Sequence, residues 1–182
     1  MREKILPILL LSSITVIPGQ ALAAGTLTGD IGVKLVIGEG CTVSNSTTSG
    51  SGINRWGELD FGTQADLSNS VDASIAGSAS TGSVTVRCSA GLSPALTLGG
   101  GLYSSGALRS VSSDGGTTRI PYRLYSDSAR TNEITIGGSV QITADGTAQD
   151  IPVYGRILPG DQSSTSPAAG TYTDTVVATL FW

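Results

Sequence analysis

The chain has 182 residues, 39% of them hydrophobic and 13% charged, with no histidine and a formal net charge of −4. Without histidine the commonest general base and the commonest metal ligand are missing, so no Ser-His-Asp or Cys-His arrangement can be assembled. Lys34 is the only lysine beyond the first few residues, and dispersed cations of this kind build no phosphate-binding patch, which excludes nucleic acid as a partner.

Arg2 and Lys4 open the chain, Ile5 to Ile17 is almost wholly apolar, and Ala21-Leu22-Ala23 puts small residues where a signal peptidase cuts. This order predicts a secretory signal over residues 1–23, with cleavage before Ala24. The apolar run is shorter than the roughly 20 residues that span a bilayer, and no later run reaches that length, so the chain is not expected to be an integral membrane protein. The remainder, residues 24–182, is one domain's worth of chain with a net charge of −5, since the signal carries Arg2, Lys4 and Glu3.

Residues 24–38 read as an arm. Leu27, Ile31, Val33, Leu35 and Ile37 fall on odd positions, interrupted by Gly29, and give one apolar face with a period of two. The first predicted strand is therefore Leu27 to Ile37. Residues 39–182 form the domain proper. Gly40 to Val43 is a strand carrying Cys41, and Glu58 to Phe61 is a short one. Ser83 to Cys88 alternates and carries the second cysteine. An even pair in an exported chain reads as a disulfide, Cys41–Cys88, closing a loop worth about 4 kcal/mol on chain-entropy grounds.

Further strands are predicted over Ala95 to Leu98, Arg119 to Tyr125, Ile134 to Ile136, Val140 to Thr143, Ile151 to Leu158 and Tyr172 to Trp182. Turn clusters separate them at Thr47 to Gly52, Ser112 to Gly116, Asp145-Gly146 and Gly160 to Ser166, the last read as a mobile surface loop. Short runs punctuated by Gly and Pro, with no sustained helical period, indicate an all-β sandwich. In the final run Val176, Ala178 and Leu180 share one face, and Val177 and Phe181 the other. No further run is left to pair with the outer edge of this apolar strand, an exposure that proteins normally manage.

Asp60, Asp127, Asp150 and Asp174 could be imagined as glycosidase carboxylates or calcium ligands. They sit beside Gly, Ser or Thr at strand ends, where turn and edge roles are commoner, and no D-x-D-x-D-G loop is present. Tyr122, Tyr125 and Tyr154 read as core or interface packing with hydroxyls bonded at the rim, and Trp56 and Trp182 as residues buried at a subunit contact. The chain is accordingly read as non-enzymatic, with no catalytic residues, metal or cofactor.

Several short motifs point further. Gly40-Cys41-Thr42-Val43, Leu59-Asp60-Phe61-Gly62-Thr63, Val84-Thr85-Val86-Arg87-Cys88, Pro121-Tyr122-Arg123-Leu124-Tyr125-Ser126-Asp127, Ile151-Pro152-Val153-Tyr154-Gly155-Arg156-Ile157 and Ala169-Gly170-Thr171-Tyr172-Thr173-Asp174-Thr175-Val176 occur in this order. Together they resemble the spore coat U domain family, and within it the major subunits of archaic, Csu-type chaperone–usher pili. The resemblance implies an incomplete immunoglobulin-like sandwich lacking its last strand, completed by a donor strand from another subunit. It implies three kinds of partner: other copies or related pilins, a periplasmic chaperone that first lends a strand, and an outer-membrane usher that exchanges it. The route is export through the periplasm to a surface pilus that supports attachment and biofilm formation. Leu27, Ile31, Val33, Leu35 and Ile37 would then be the donor face, and Val176, Ala178 and Leu180 would line the acceptor groove edge. The ending Phe181-Trp182 departs from the single terminal tyrosine of related subunits. A secreted coat or surface protein of the same domain family, not polymerised by an usher, is the alternative.

Overall fold

The computed structural model describes residues 28–43, 47–48, 54–76 and 83–182. The predicted signal over 1–23, Leu27 and most of the Thr47–Gly52 turn lie outside the described residues. The chain divides into two units, Met1–Val36 and Ile37–Trp182.

In the first unit, residues 28–36 form no strand, and neither does Ile37 at the start of the second. This differs from the strand expected over Leu27 to Ile37. The period-two pattern supplies an apolar face, but a strand is held by a ladder to a neighbour, and no pairing involves this segment among the described residues. Ile31, Val33, Leu35 and Ile37 are 89%, 91%, 81% and 85% exposed.

The second unit is all-β, an immunoglobulin-like sandwich. Its strands are β1 (Cys41–Val43), β2 (Thr47–Thr48), β3 (Asn54–Arg55), β4 (Glu58–Leu59), β5 (Val71–Ala76), β6 (Ser83–Cys88), β7 (Ala95–Leu98), β8 (Arg109–Val111), β9 (Ile120–Tyr125), β10 (Ser139–Gln141), β11 (Ala148–Pro152), β12 (Tyr154–Ile157) and β13 (Ala178–Phe181). All pairings are antiparallel. One layer is the five-stranded sheet β4-β5-β12-β9-β8, and the other is split into two three-stranded sheets, β1-β6-β11 and β10-β7-β13. A single core joins them through Val86 and Ile151 from the first small sheet, Leu96 and Leu98 from the second, and Ile120, Tyr122, Leu124 and Ile157 from the large one. Among the described residues no helix is long and apolar enough to cross a membrane.

The run Ile151 to Leu158, expected as one strand, is two. Pro152 ends the ladder of β11 on β6 because it has no N–H to donate, and the chain passes to the other layer at the buried Val153. Ile134 to Ile136 is not a strand; it meets the sheet by an isolated bridge between Glu133 and Tyr125 and by the Ile134 amide donating to the Leu124 carbonyl. The loop Gly160 to Ser166 is tied down rather than mobile. Asp161 takes a two-point bond from Arg123, Gln162 donates to the Pro121 carbonyl, and the Thr165 carbonyl accepts from the Leu67 amide.

Polar contacts fix the outer face of the large sheet. Arg156 on β12 holds Asp72 on β5 through two bonds of 2.6 and 2.8 Å, and Arg123 on β9 bridges Asp161 and Glu133. Arg130 lies over the Tyr154 ring at 5.6 Å. Inside, Gly155 faces the core where a Cβ would stand 2.7 Å from Leu59 and 2.9 Å from Phe61. Phe61 in turn meets Tyr122 edge-on at 6.0 Å.

These contacts set two expectations. Gly155→Ala overpacks Leu59 and Phe61 and should lower unfolding free energy by about 1–3 kcal/mol, read from urea denaturation. The second concerns acid. Arg156 holds the Asp72 carboxyl below its ordinary value of 3.8, Arg123 does the same for Asp161, and the Thr118 hydroxyl and amide hold Asp114 at about 2. A depressed carboxyl contributes fully above its unfolded value and loses that contribution as pH falls through its folded one. The urea midpoint should therefore hold down to about pH 4 and decline between there and pH 2.

Candidate functional site

Each three-stranded small sheet has two edge strands among the described residues, and two of these four, β1 in β1-β6-β11 and β13 in β10-β7-β13, line a common opening. Between them lies a cleft of about 330 Å³. β1 supplies Cys41 and Val43, β13 supplies Ala178, Thr179 and Leu180, and Trp56 and Trp182 complete the lining.

Ladder geometry shows which groups the β13 edge offers. The Gly99 amide donates to the Val177 carbonyl, which makes Val177 and Gly99 a hydrogen-bonded pair. Antiparallel pairs alternate, so Ala178 opposite Leu98 and Leu180 opposite Leu96 turn their N–H and C=O groups away from β7, toward the cleft. On the far wall the Gly40 carbonyl accepts from Ser89, so the Cys41–Cys88 pair opposite is of the outward-facing kind as well. These two cysteines are joined by a disulfide, as the sequence suggests, which fastens the β1 wall to β6.

The side chains show the same alternation. Val176, Ala178 and Leu180 are half-buried against the core, while Val177 and Phe181 are 68% and 59% exposed. The cleft therefore has an apolar floor and open backbone on its β13 side. Sequence patterning points to that edge but not to the opposing wall at Cys41–Val43, nor to the meeting of Trp56 and Trp182 at one opening; Trp182 is 62% exposed. The only sequence signal for the wall is its position directly after the arm.

A polar node stands at the entrance to β13. One Asp174 carboxylate oxygen accepts from the Leu102 amide at 2.7 Å and from the Thr175 amide at 2.8 Å, and the other accepts from the Tyr122 hydroxyl at 2.7 Å. Gly101 sits under this carboxylate with φ +80°, and a Cβ there would collide with it. Burial, reinforced by Asp174, pushes the Tyr122 hydroxyl far above its ordinary value, so it donates at any working pH. Nearby, Arg109 is 2% exposed and spends its guanidinium on backbone carbonyls: Gly99 and Ile134 at 2.7 Å, Leu98 at 2.9 Å and Thr135 at 3.1 Å. Desolvation lowers its pKa from the ordinary arginine value.

The other aspartates hold turns and edges. Asp60 accepts from the Gly62 amide, Asp127 from the Thr131 and Asn132 amides, and Asp150 from the Thr85 hydroxyl across the β11–β6 ladder.

The Spore Coat Protein U domain matches residues 27–179 of the chain. The chain belongs to that family. Protein U of Myxococcus xanthus is 31% identical to it over an alignment 167 positions long, and the alignment covers 86% of this chain and 86% of Protein U. Among solved structures its fold is similar to one in the CsuC-CsuE chaperone-tip adhesion subunit pre-assembly complex from archaic chaperone-usher Csu pili of Acinetobacter baumannii, with a TM-score of 0.51 and 20% identity. That likeness covers 80% of this chain and 40% of the other, so this chain spans less than half of its length.

Replacing Cys41 and Cys88 together by Ala should lower unfolding free energy by about 2–4 kcal/mol in urea titrations. Amide exchange at Thr42, whose carbonyl and amide face β6, should rise more than exchange within β9.

Proposed function

We propose that this chain is a structural subunit of a cell-surface pilus, in which the N-terminal arm of one copy enters the cleft of the next as the missing strand. The observation that carries this reading is the presence of two complementary features in one chain. The cleft has an apolar floor and outward-turned backbone at Ala178 and Leu180, and the arm presents Ile31, Val33, Leu35 and Ile37, exposed, at every second position. Leu27 continues the same face in the sequence. An added strand would gain main-chain bonds along the edge while alternate side chains enter the floor. The contact is head to tail, so it need not close and can build a fibre.

Family membership and the fold likeness support the rest of the reading. A signal over residues 1–23 directs export, a periplasmic chaperone lends a strand to the cleft, and an outer-membrane usher exchanges it for the arm, residues 24–38, of the incoming subunit. Attachment and biofilm formation are the corresponding roles at the surface. The arm's own side chains fall short of the entropy cost of ordering it, so burial of the cleft and the ladder must supply the remainder. A second reading, a coat or surface protein of the same family that no usher polymerises, is favoured by the near-complete alignment with Protein U.

Deleting residues 24–37 should yield a subunit that accepts an arm but donates none. Electron microscopy should then show no extended fibres, and fibres of normal length would remove the donor assignment. Ile31→Asp combined with Val33→Asp should block polymerisation while the subunit still co-purifies with its chaperone; loss of chaperone binding would make the arm part of the subunit's own fold. Fibres that persist when the usher is disrupted would favour the second reading.

A further inference from the structure

The entrance to β13 is unusually well tethered for a strand that borders an opening. The segment 174–177 is bonded at both ends before the strand begins: Asp174 to Leu102, Thr175 and Tyr122, and Val177 to Gly99. The carbonyl of Gly99, whose amide meets Val177, accepts from Arg109. Arg109 also takes the Leu98 carbonyl and reaches across to Ile134 and Thr135, tying the end of β7 to the segment after β9. Every one of these bonds belongs to the domain itself, and none needs an occupant in the cleft.

We propose that Arg109, Tyr122 and Asp174 are positioning residues that hold the acceptor edge in strand geometry while the cleft is empty, and so set how readily it captures a donor strand. This rests on the donor-strand reading above. The physical argument concerns preorganisation. A strand bordered on one side by nothing loses half of the ladder that normally fixes it, and an incoming segment that had to order it as well as itself would bind more weakly. Here the ordering is done in advance from behind. A guanidinium with several donors in a rigid plane is suited to gathering carbonyls from two segments at once. A carboxylate is suited to collecting amides and a hydroxyl at a chain reversal. Gly101 is required because the carboxylate occupies the space a side chain would fill. The motif residue Tyr122 thus meets the motif residue Asp174 for a reason unconnected with sugar or metal binding.

The test uses the full chain and two variants. Tyr122→Phe removes one oxygen and keeps the ring; Arg109→Lys keeps the charge and reduces the donors. Two readouts are needed. The first is amide exchange at Thr179 and Phe181, which pair with Thr97 and Ala95 on β7. The second is capture of a synthetic peptide of residues 26–38, monitored by emission from Trp56 and Trp182, the two tryptophans of the chain, both at the cleft.

Both variants should speed exchange at Thr179 and Phe181 about tenfold, the scale of one lost hydrogen bond with a charged partner (the Asp174 carboxylate for Tyr122, the guanidinium for the carbonyls), and leave the β6 and β12 ladders unchanged. Peptide affinity should fall by a similar factor. Equal exchange and equal affinity in wild type and variants would overturn the inference while leaving the donor-strand reading intact. Exchange that rises uniformly over the domain would overturn it too, by reducing the node to general stability. A wild-type chain that leaves the peptide unbound would defeat the donor-strand reading and this inference with it. Should Arg109→Lys fail to fold, Tyr122→Phe alone decides.

Discussion

A strand in a sheet carries hydrogen-bonding groups on both sides, and among the described residues β13 has a partner on only one. Ala178 and Leu180 turn their backbone outward, yet their side chains reach inward to the core, so this edge cannot simply be released into water without uncovering the floor beneath it. Much of the domain's architecture is arranged around that constraint. The layer opposite the large sheet is divided into two halves, each fastened by other means: the β1 half by the cross-strand disulfide, the β13 half by the carboxylate and guanidinium behind its entrance. Burying a guanidinium is expensive, and it is tolerable here because four carbonyls receive it; those of Leu98 and Thr135 also accept from the Gly137 and Gly138 amides and give the guanidinium their second lone pair.

Four of the six short motifs that resemble the family become one contact path in the folded chain. Leu59 and Phe61 fill the space over Gly155, Phe61 abuts Tyr122, Tyr122 donates to Asp174, and Asp174 collects the Leu102 amide. Residues from four separated stretches therefore depend on one another for shape. A glycine between Tyr154 and Arg156 and an aspartate two residues after Tyr172 look like unrelated punctuation in the sequence, but each is the complement of a side chain far away along the chain. Tyr154 and Arg156, on the other side of the same strand, belong instead to the outer polar face with Asp72 and Arg130.

Local patterning explains which elements are legible in the sequence. Ser83–Cys88 and Ala95–Leu98 alternate cleanly and have the bounds their pattern predicts, and Cys41 can be paired with Cys88 because no other cysteine exists. Val71–Ala76 escapes such a reading although Val71, Ala73 and Ile75 alternate, because Asp, Ser and Ala dilute the apolar signal. Arg109–Val111 escapes it because its first residue is a buried cation, whose partners are carbonyls 10 to 26 positions away and leave no trace in local composition. Gly160–Ser166 reads as a free loop for the same reason: its anchors, Arg123, Pro121 and Leu67, are distant in sequence. For the candidate site, periodicity marks the floor residues of β13 and the face of the arm, whereas the second wall of the cleft arises only when β1 is placed by β6.

The position of the disulfide also governs how the domain bears force. Cys41 is the first residue of the first strand, directly after Gly40, which is bonded to Ser89, so tension arriving from the N-terminal side meets the crosslink within one residue of entering the fold. From there it passes covalently to Cys88 in the middle of a three-stranded sheet, bypassing the chain between two cysteines that are 47 positions apart. That stretch, which includes β4 and β5 of the opposite layer, cannot be drawn out like slack from a rope while the bond is intact. A pull is instead shared along β6, whose neighbours on both sides must shear together before the domain can yield.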